Sequence, residues 1–178
     1  MANFEEKTLE SKMIYKGKVI QLELEQVELP DGKQSTRELV RHPGAVAVIA
    51  TTEEGKIILV EQYRKALEKS IVEIPAGKME NGEDPKQTAW RELYEETGYQ
   101  AGSLELLTSF YTSPGFADEI IYIYEASELK KGEQQLDDDE FVTNLELSFE
   151  ECEQLVKEER IHDAKTAYAL MYLKLKTV

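Results

Sequence analysis

Residues 77–99, GKMENGEDPKQTAWRELYEETGY, constrain this chain more than any other stretch. Asp84 is suited to cap a helix, Pro85 to begin it and Gly98 to close it in the left-handed conformation. Between those marks, Glu92, Glu95 and Glu96 stand three and four residues apart. A helix gathers them on one side of its cylinder, and Glu83 in the preceding loop can join them. Like charges packed that closely raise one another's pKa and weaken the helix unless a cation sits among them. Oxygen ligands of this kind suit a hard divalent ion. The stretch reads as a magnesium site.

Around this helix the chain reads as strands. Residues 12–29 alternate apolar and polar, as two half-buried strands around Lys16-Gly17. Pro30-Asp31-Gly32 marks a turn, and residues 36–41 return as a third strand. A meander of this size is too thin to hold a core of its own, so it is expected to pack on the main domain or on a second chain. The reading therefore divides the chain into an N-terminal β unit, 1–43, and a main domain, 44–178. Strands at 45–51, 56–62 and 71–74 lead into the helix, and strands at 104–111, 120–124 and 142–147 follow it. Ser148 with Glu151 forms a capping box for a helix to about residue 158. Asp163 caps a last helix over 164–175, whose apolar residues Ala164, Ala167, Met171 and Leu175 recur at helical spacing. Strands flanked by helices in mixed order predict an α+β sandwich.

Composition bounds what is left. The 178 residues suit one good domain with a small appendage, and 41% hydrophobic residues suffice for a core. With 21 basic and 36 acidic residues the formal charge is −15, which argues against nucleic acid or an anionic membrane as the main partner. A small nucleotide held through metal is still compatible with that charge. A single cysteine, Cys152, excludes an internal disulfide and fits a reducing cytoplasm; it reads as a packing residue rather than a nucleophile. No apolar run is long enough to span a bilayer, and residues 1–10 carry no signal-peptide pattern. His42 and His162 follow no ligand spacing and read as surface or cap residues.

The acidic helix and its loop resemble the Nudix box, G-x5-E-x7-R-E-U-x-E-E-x-G-U. Gly77, Glu83, Arg91, Glu92, Leu93, Glu95, Glu96 and Gly98 all stand in place, and Tyr99 replaces the usual aliphatic residue at the end. The resemblance implies an α/β/α sandwich with a mixed sheet and hydrolysis of a nucleoside diphosphate linked to another group. It implies metal ligands at Glu92 and Glu96, Glu95 beside them, and the backbone carbonyl of Ala76. Arg91 would orient a glutamate by a charge-assisted hydrogen bond. Mg2+ is the expected ion, with Mn2+ able to substitute.

Features outside the box resemble the ADP-ribose pyrophosphatase branch of that family. Pro114 lies sixteen residues beyond Gly98, and residues 61–64, residues 72–77 and the N-terminal β unit are also similar to that branch. The likeness implies a homodimer that exchanges its β units, with ADP-ribose cleaved to AMP and ribose 5-phosphate. Arg64 would meet phosphate, Arg37 would bind the nucleotide, Glu73 would sit near the terminal ribose or the metals, and Glu119 would accept from ribose hydroxyls. The general base would come from the acidic run 137–140: Asp138 as the base and Glu140 near the metal, with Glu95 as the alternative base. Rival readings are a hydrolase of another nucleoside diphosphate-sugar, such as GDP-mannose, and a Nudix module that senses a nucleotide without cleaving it.

Overall fold

The computed structural model describes residues 4–80, 82–136 and 141–176, and these fall into two units. The first comprises the described residues up to Gly44 together with Phe110–Ile121. Strands β1 (Lys7–Lys16), β2 (Gln21–Glu28) and β3 (Gln34–Arg41) form an antiparallel sheet in that order. The expectation of half-buried strands fails for β1, which is exposed along its whole length. Within these three strands only Val27 is buried. The segment after Tyr111 joins this unit through backbone bonds: Val40 N–H donates to Phe116 O at 2.8 Å, and Asp118 N–H to Val40 O at 3.1 Å. Asp118 adds its carboxylate, accepting from the His42 N–H at 2.8 Å.

The second unit comprises Ala45–Ser109 and Tyr122–Val178. Strands β4 (Ala45–Ala50), β5 (Ile57–Arg64), β6 (Lys69–Glu73) and β7 (Ala76–Lys78) precede helix α1 (Pro85–Thr97). After it come β8 (Tyr99–Gln100), β9 (Ser103–Tyr111), β10 (Ile120–Ser127), β11 (Lys130–Lys131), β12 (Val142–Leu147), α2 (Phe149–Lys157) and α3 (Ala164–Lys176). The strands order as β7-β4-β10-β9, as β12-β5-β6 and as the short pair β11-β8. β4 is buried at every residue, as its unbroken apolar run AVAVIA requires, because a strand covered on both faces has no polar side.

Helix α1 docks through Ala89 and Leu93, which join Val46, Val48, Ile58, Leu104 and Tyr124 in one core cluster. Those two residues lie four apart and so share a face. Full burial of the Leu93 side chain contributes on the order of 2 kcal/mol. The Ser148–Glu151 capping box of α2 is present in both directions.

Helix α3 departs from its sequence reading. The stripe Ala164, Ala167, Met171 and Leu175 is exposed, and the buried residues are Thr166, Ala169 and Leu170. The reason is polar: the Thr166 hydroxyl accepts the Ile74 N–H at 3.0 Å, and Tyr172 donates to Glu125 at 2.9 Å. Hydrogen bonds, not the apolar stripe, choose which face turns inward.

Candidate active site

Local chemistry sets the acidic helix. Asp84 Oδ1 accepts from the backbone N–H groups of Lys86 at 2.9 Å and Gln87 at 3.3 Å, satisfying donors the helix itself leaves open. Gly98 ends it at φ 75°, and its N–H closes back on Tyr94 O. With both ends fixed, Glu92, Glu95 and Glu96 fall on one side as their spacing requires. Glu92 and Glu96 are buried.

Arg91 gathers the carboxylates. Its Nε and Nη2 each donate to Glu83 at 3.1 Å, a fork-to-fork pair, while Nη1 donates to Glu92 at 2.8 Å and to Glu95 at 3.0 Å. The sequence reading gave Arg91 one glutamate to orient; it holds three. That guanidinium keeps the Glu83 carboxyl at about 2, well below the usual range. Glu83, first among the acids around it, in turn pushes the Arg91 pKa up. Among the described residues no three acidic, histidine or cysteine side chains converge on a ready-made ligand shell; Glu83, Glu92 and Glu95 are drawn to Arg91 and Glu96 to the Ala76 N–H.

A backbone segment faces this cluster. The Ala76 N–H donates to Glu96 Oε2 at 2.9 Å, and Pro75 O accepts from the Val48 N–H at 2.9 Å. A Cβ at Gly77 would lie 1.8 Å from the Glu92 carboxyl carbon, so only glycine lets that carboxylate approach the strand. Glu92 against Gly77, Glu96 on the Ala76 N–H and nearby Glu95 make an all-oxygen donor set. They fit a hard divalent cation once the oxygens of Glu92 and Glu95 turn from Arg91. Glu92, Glu95, Glu96 and the Ala76 carbonyl are the groups that would hold such an ion.

Beside that segment lies a second charged group. Glu73, almost wholly buried, accepts from Arg64 Nε at 2.6 Å through Oε2 and from Lys165 Nζ through Oε1. Lys165 also donates to Asp163 Oδ1 at 2.9 Å. Sequence reasoning found Arg64 and Glu73 and missed Lys165. No local signal marks it, since it sits 92 residues beyond Glu73 in the chain.

The remaining candidates belong to the first unit. Arg37 makes a forked pair with Glu6, at 2.8 and 2.5 Å. Glu119 accepts from the Thr112 hydroxyl at 2.6 Å, and Pro114 lies in the turn where Ser113 O accepts from the Phe116 and Ala117 N–H groups. His42, expected to be a surface or cap residue, binds a nearby backbone N–H. Only 11% of its side chain is exposed, and its Nδ1 accepts from the Gly44 N–H and lies 3.6 Å from Glu119, too far for a hydrogen bond. Asp138 and Glu140 lie outside the described residues. Cys152 is buried, and burial pushes its thiol up to about 11, so it stays protonated and unreactive at neutral pH.

Comparison with known proteins fits this geometry. The model of the NUDIX domain matches residues 40–170, nearly three quarters of the chain. The chain belongs to the Nudix family. A second model, the nucleoside diphosphate sugar hydrolase N-terminal domain, matches residues 6–40 of this Nudix protein. It is 60% identical, over 97% of its length and 94% of the relative's, to a methanol dehydrogenase activator of Bacillus methanolicus. It is 58% identical to an ADP-ribose pyrophosphatase of Bacillus subtilis (strain 168), over 99% of its length and 96% of that protein. A crystal structure of an ADP compounds hydrolase matches its fold with a TM-score of 0.84 at 19% identity, covering 98% of this chain and 95% of the other. The α+β architecture with a mixed sheet, expected from the box, is thus the architecture found. No helix among the described residues is long and apolar enough to cross a membrane.

Proposed function

We propose that this Nudix protein hydrolyses the diphosphate of ADP-ribose with Mg2+ (or Mn2+ in its place), giving AMP and ribose 5-phosphate. The observation that carries the reading is the cluster of Glu83, Glu92 and Glu95 on Arg91, with Glu96 hydrogen-bonded to Ala76 beside the Gly77 cradle. The likeness to the B. subtilis pyrophosphatase supports the choice of substrate.

An anionic diphosphate is repelled by such a cluster unless cations lie between them. Divalent ions bound there polarise the phosphoryl oxygens and lower the pKa of the attacking water. Glu92, Glu96 and the Ala76 carbonyl would hold them, with Glu95 alongside. Arg91 keeps Glu83 and stays as the fixed counter-charge. Arg64, gripped at Nε by Glu73, turns its Nη groups to phosphate, and Glu73 would sit near the terminal ribose or the metals. Arg37 binds the nucleotide, Pro114 shapes the loop before Glu119, and Glu119 accepts from both hydroxyls of a ribose diol. Water adds to one phosphorus, the bridging P–O bond breaks, and Asp138 takes the water proton, with Glu140 near the metals and Glu95 as the alternative base.

Residues 1–43 serve as the dimerisation unit and 44–178 as the catalytic domain. Strand β1 supports a homodimer: it is a sheet edge that exposes Leu9, Met13, Ile14 and Tyr15. A cytoplasmic location suits the single reduced cysteine, and the substrate calls for no nucleic acid or membrane.

Incubation with ADP-ribose, GDP-mannose and dGTP, with Mg2+ and with chelator, tests the proposal. AMP and ribose 5-phosphate from ADP-ribose, absent with chelator, is the expected result. Turnover of GDP-mannose alone would keep the box and discard the substrate. Tight binding without turnover would point to a sensor. The name of the B. methanolicus relative favours a second reading, activation of a dehydrogenase, and Glu96→Gln separates the two. Activation that survives this change runs independently of hydrolysis.

A further inference from the structure

Four charged side chains of the second unit form one connected group. Arg64 lies on β5, Glu73 ends β6, Asp163 precedes α3, and Lys165 stands in its first turn. The Glu73 carboxylate is shared between two cations, one oxygen to each. Asp163 holds Lys165 from the other side and caps α3 through the Thr166 N–H at 3.1 Å. The Thr166 hydroxyl in turn accepts from Ile74, the residue after Glu73. The start of α3 therefore grips residues 73 and 74, immediately before the Pro75-Ala76-Gly77 segment that faces the acidic helix.

The position of Arg64 depends on this sharing. Its Nε is bound to Glu73, while Nη1 and Nη2 have no hydrogen-bond partner among the described residues, and the side chain is 38% exposed. A guanidinium next to a free carboxylate favours a two-bond fork, which would draw an Nη group onto Glu73. Lys165 occupies the second oxygen, where that fork would close.

We infer that Lys165 is a positioning residue for diphosphate binding: by occupying Glu73 Oε1 it restricts Arg64 to a single bond and leaves the Nη groups free for phosphate. This rests on the proposal that Arg64 meets the diphosphate. Lys165 is buried to 10% side-chain exposure, so it acts through Glu73 and Arg64 and not by touching substrate.

The test is a double-mutant cycle of wild type, Lys165→Met, Arg64→Ala and the double variant. Each is measured for steady-state turnover of ADP-ribose with Mg2+ and for equilibrium binding of ADP-ribose. Lys165→Met is expected to raise KM and weaken binding about tenfold with kcat within about twofold, and to add nothing in the Arg64→Ala background. A thermal melt of each variant accompanies the cycle, because a purely structural role lowers Tm without coupling to Arg64. Should the methionine variant fail to fold, Lys165→Gln keeps a donor near Glu73 and is expected to show a smaller rise with the same dependence on Arg64. An unchanged KM, or a rise undiminished by Arg64→Ala, overturns the inference. A wild type that binds ADP-ribose without cleaving it sinks the hydrolase reading instead, and the binding cycle still decides the role of Lys165.

Discussion

The Ala76 backbone N–H donates a 2.9 Å hydrogen bond to Glu96 Oε2, tying the strand before the acidic loop to the last turn of the acidic helix. One carboxylate oxygen of Glu96 is thereby fixed, and its position relative to the Ala76 carbonyl is set by backbone geometry. Glu96→Gln keeps the size of the side chain and removes its charge. Turnover is expected to fall by about 100-fold or more, with nucleotide binding far less affected. Kinetics beside equilibrium binding check this, and wild-type rates would undo the metal assignment.

Gly77→Ala places a methyl group where the Glu92 carboxyl group now lies. Either the strand or the glutamate must shift, at a cost of about 1–3 kcal/mol. A lowered Tm together with a loss of turnover is expected. A variant with full activity and unchanged Tm would mean that the cradle is not needed.

Glu83 offers a pH test with a definite sign. Its folded pKa of about 2 lies below the ordinary 4.5, so its pairing with Arg91 stabilises the fold fully above about pH 4.5. That contribution is lost as pH falls toward 2. Glu83→Gln should therefore lower Tm at neutral pH, and the gap from wild type should narrow as pH falls below about 4.5. A gap that stays constant down to pH 3 would assign the effect to packing instead.

The exposed apolar edge of β1 predicts self-association. Sedimentation should find a dimer, and Ile14→Lys with Tyr15→Glu should shift it toward monomer by placing charges on that edge. A compact monomer in the wild type would remove the dimer from the proposal.

What the sequence disclosed here was local. The caps of α1 and α2, the burial of β4 and the facing of the glutamates each depend on residues within a few positions of one another, so spacing alone revealed them. The inward face of α3 did not follow from its apolar spacing, because Thr166 is chosen by Ile74 and Lys165 by Glu73, each 92 residues away. Similarly, nothing in the pattern of residues 110–121 announces their backbone pairing with Val40. The number of glutamates on Arg91 also exceeded expectation, since reach and burial, not sequence spacing, decide how many acids one guanidinium can hold.

Arg91 gives the acidic helix a counter-ion that cannot diffuse away. Sites whose ligands repel one another often need their metal in order to fold at all. Here Arg91 answers the repulsion from within the helix, so under the proposed function loading would be an exchange of partners on a finished scaffold. A chelator is therefore expected to stop turnover while leaving the Tm unchanged. Under the proposed function, metal supply would set how fast the protein works and leave untouched how much of it persists.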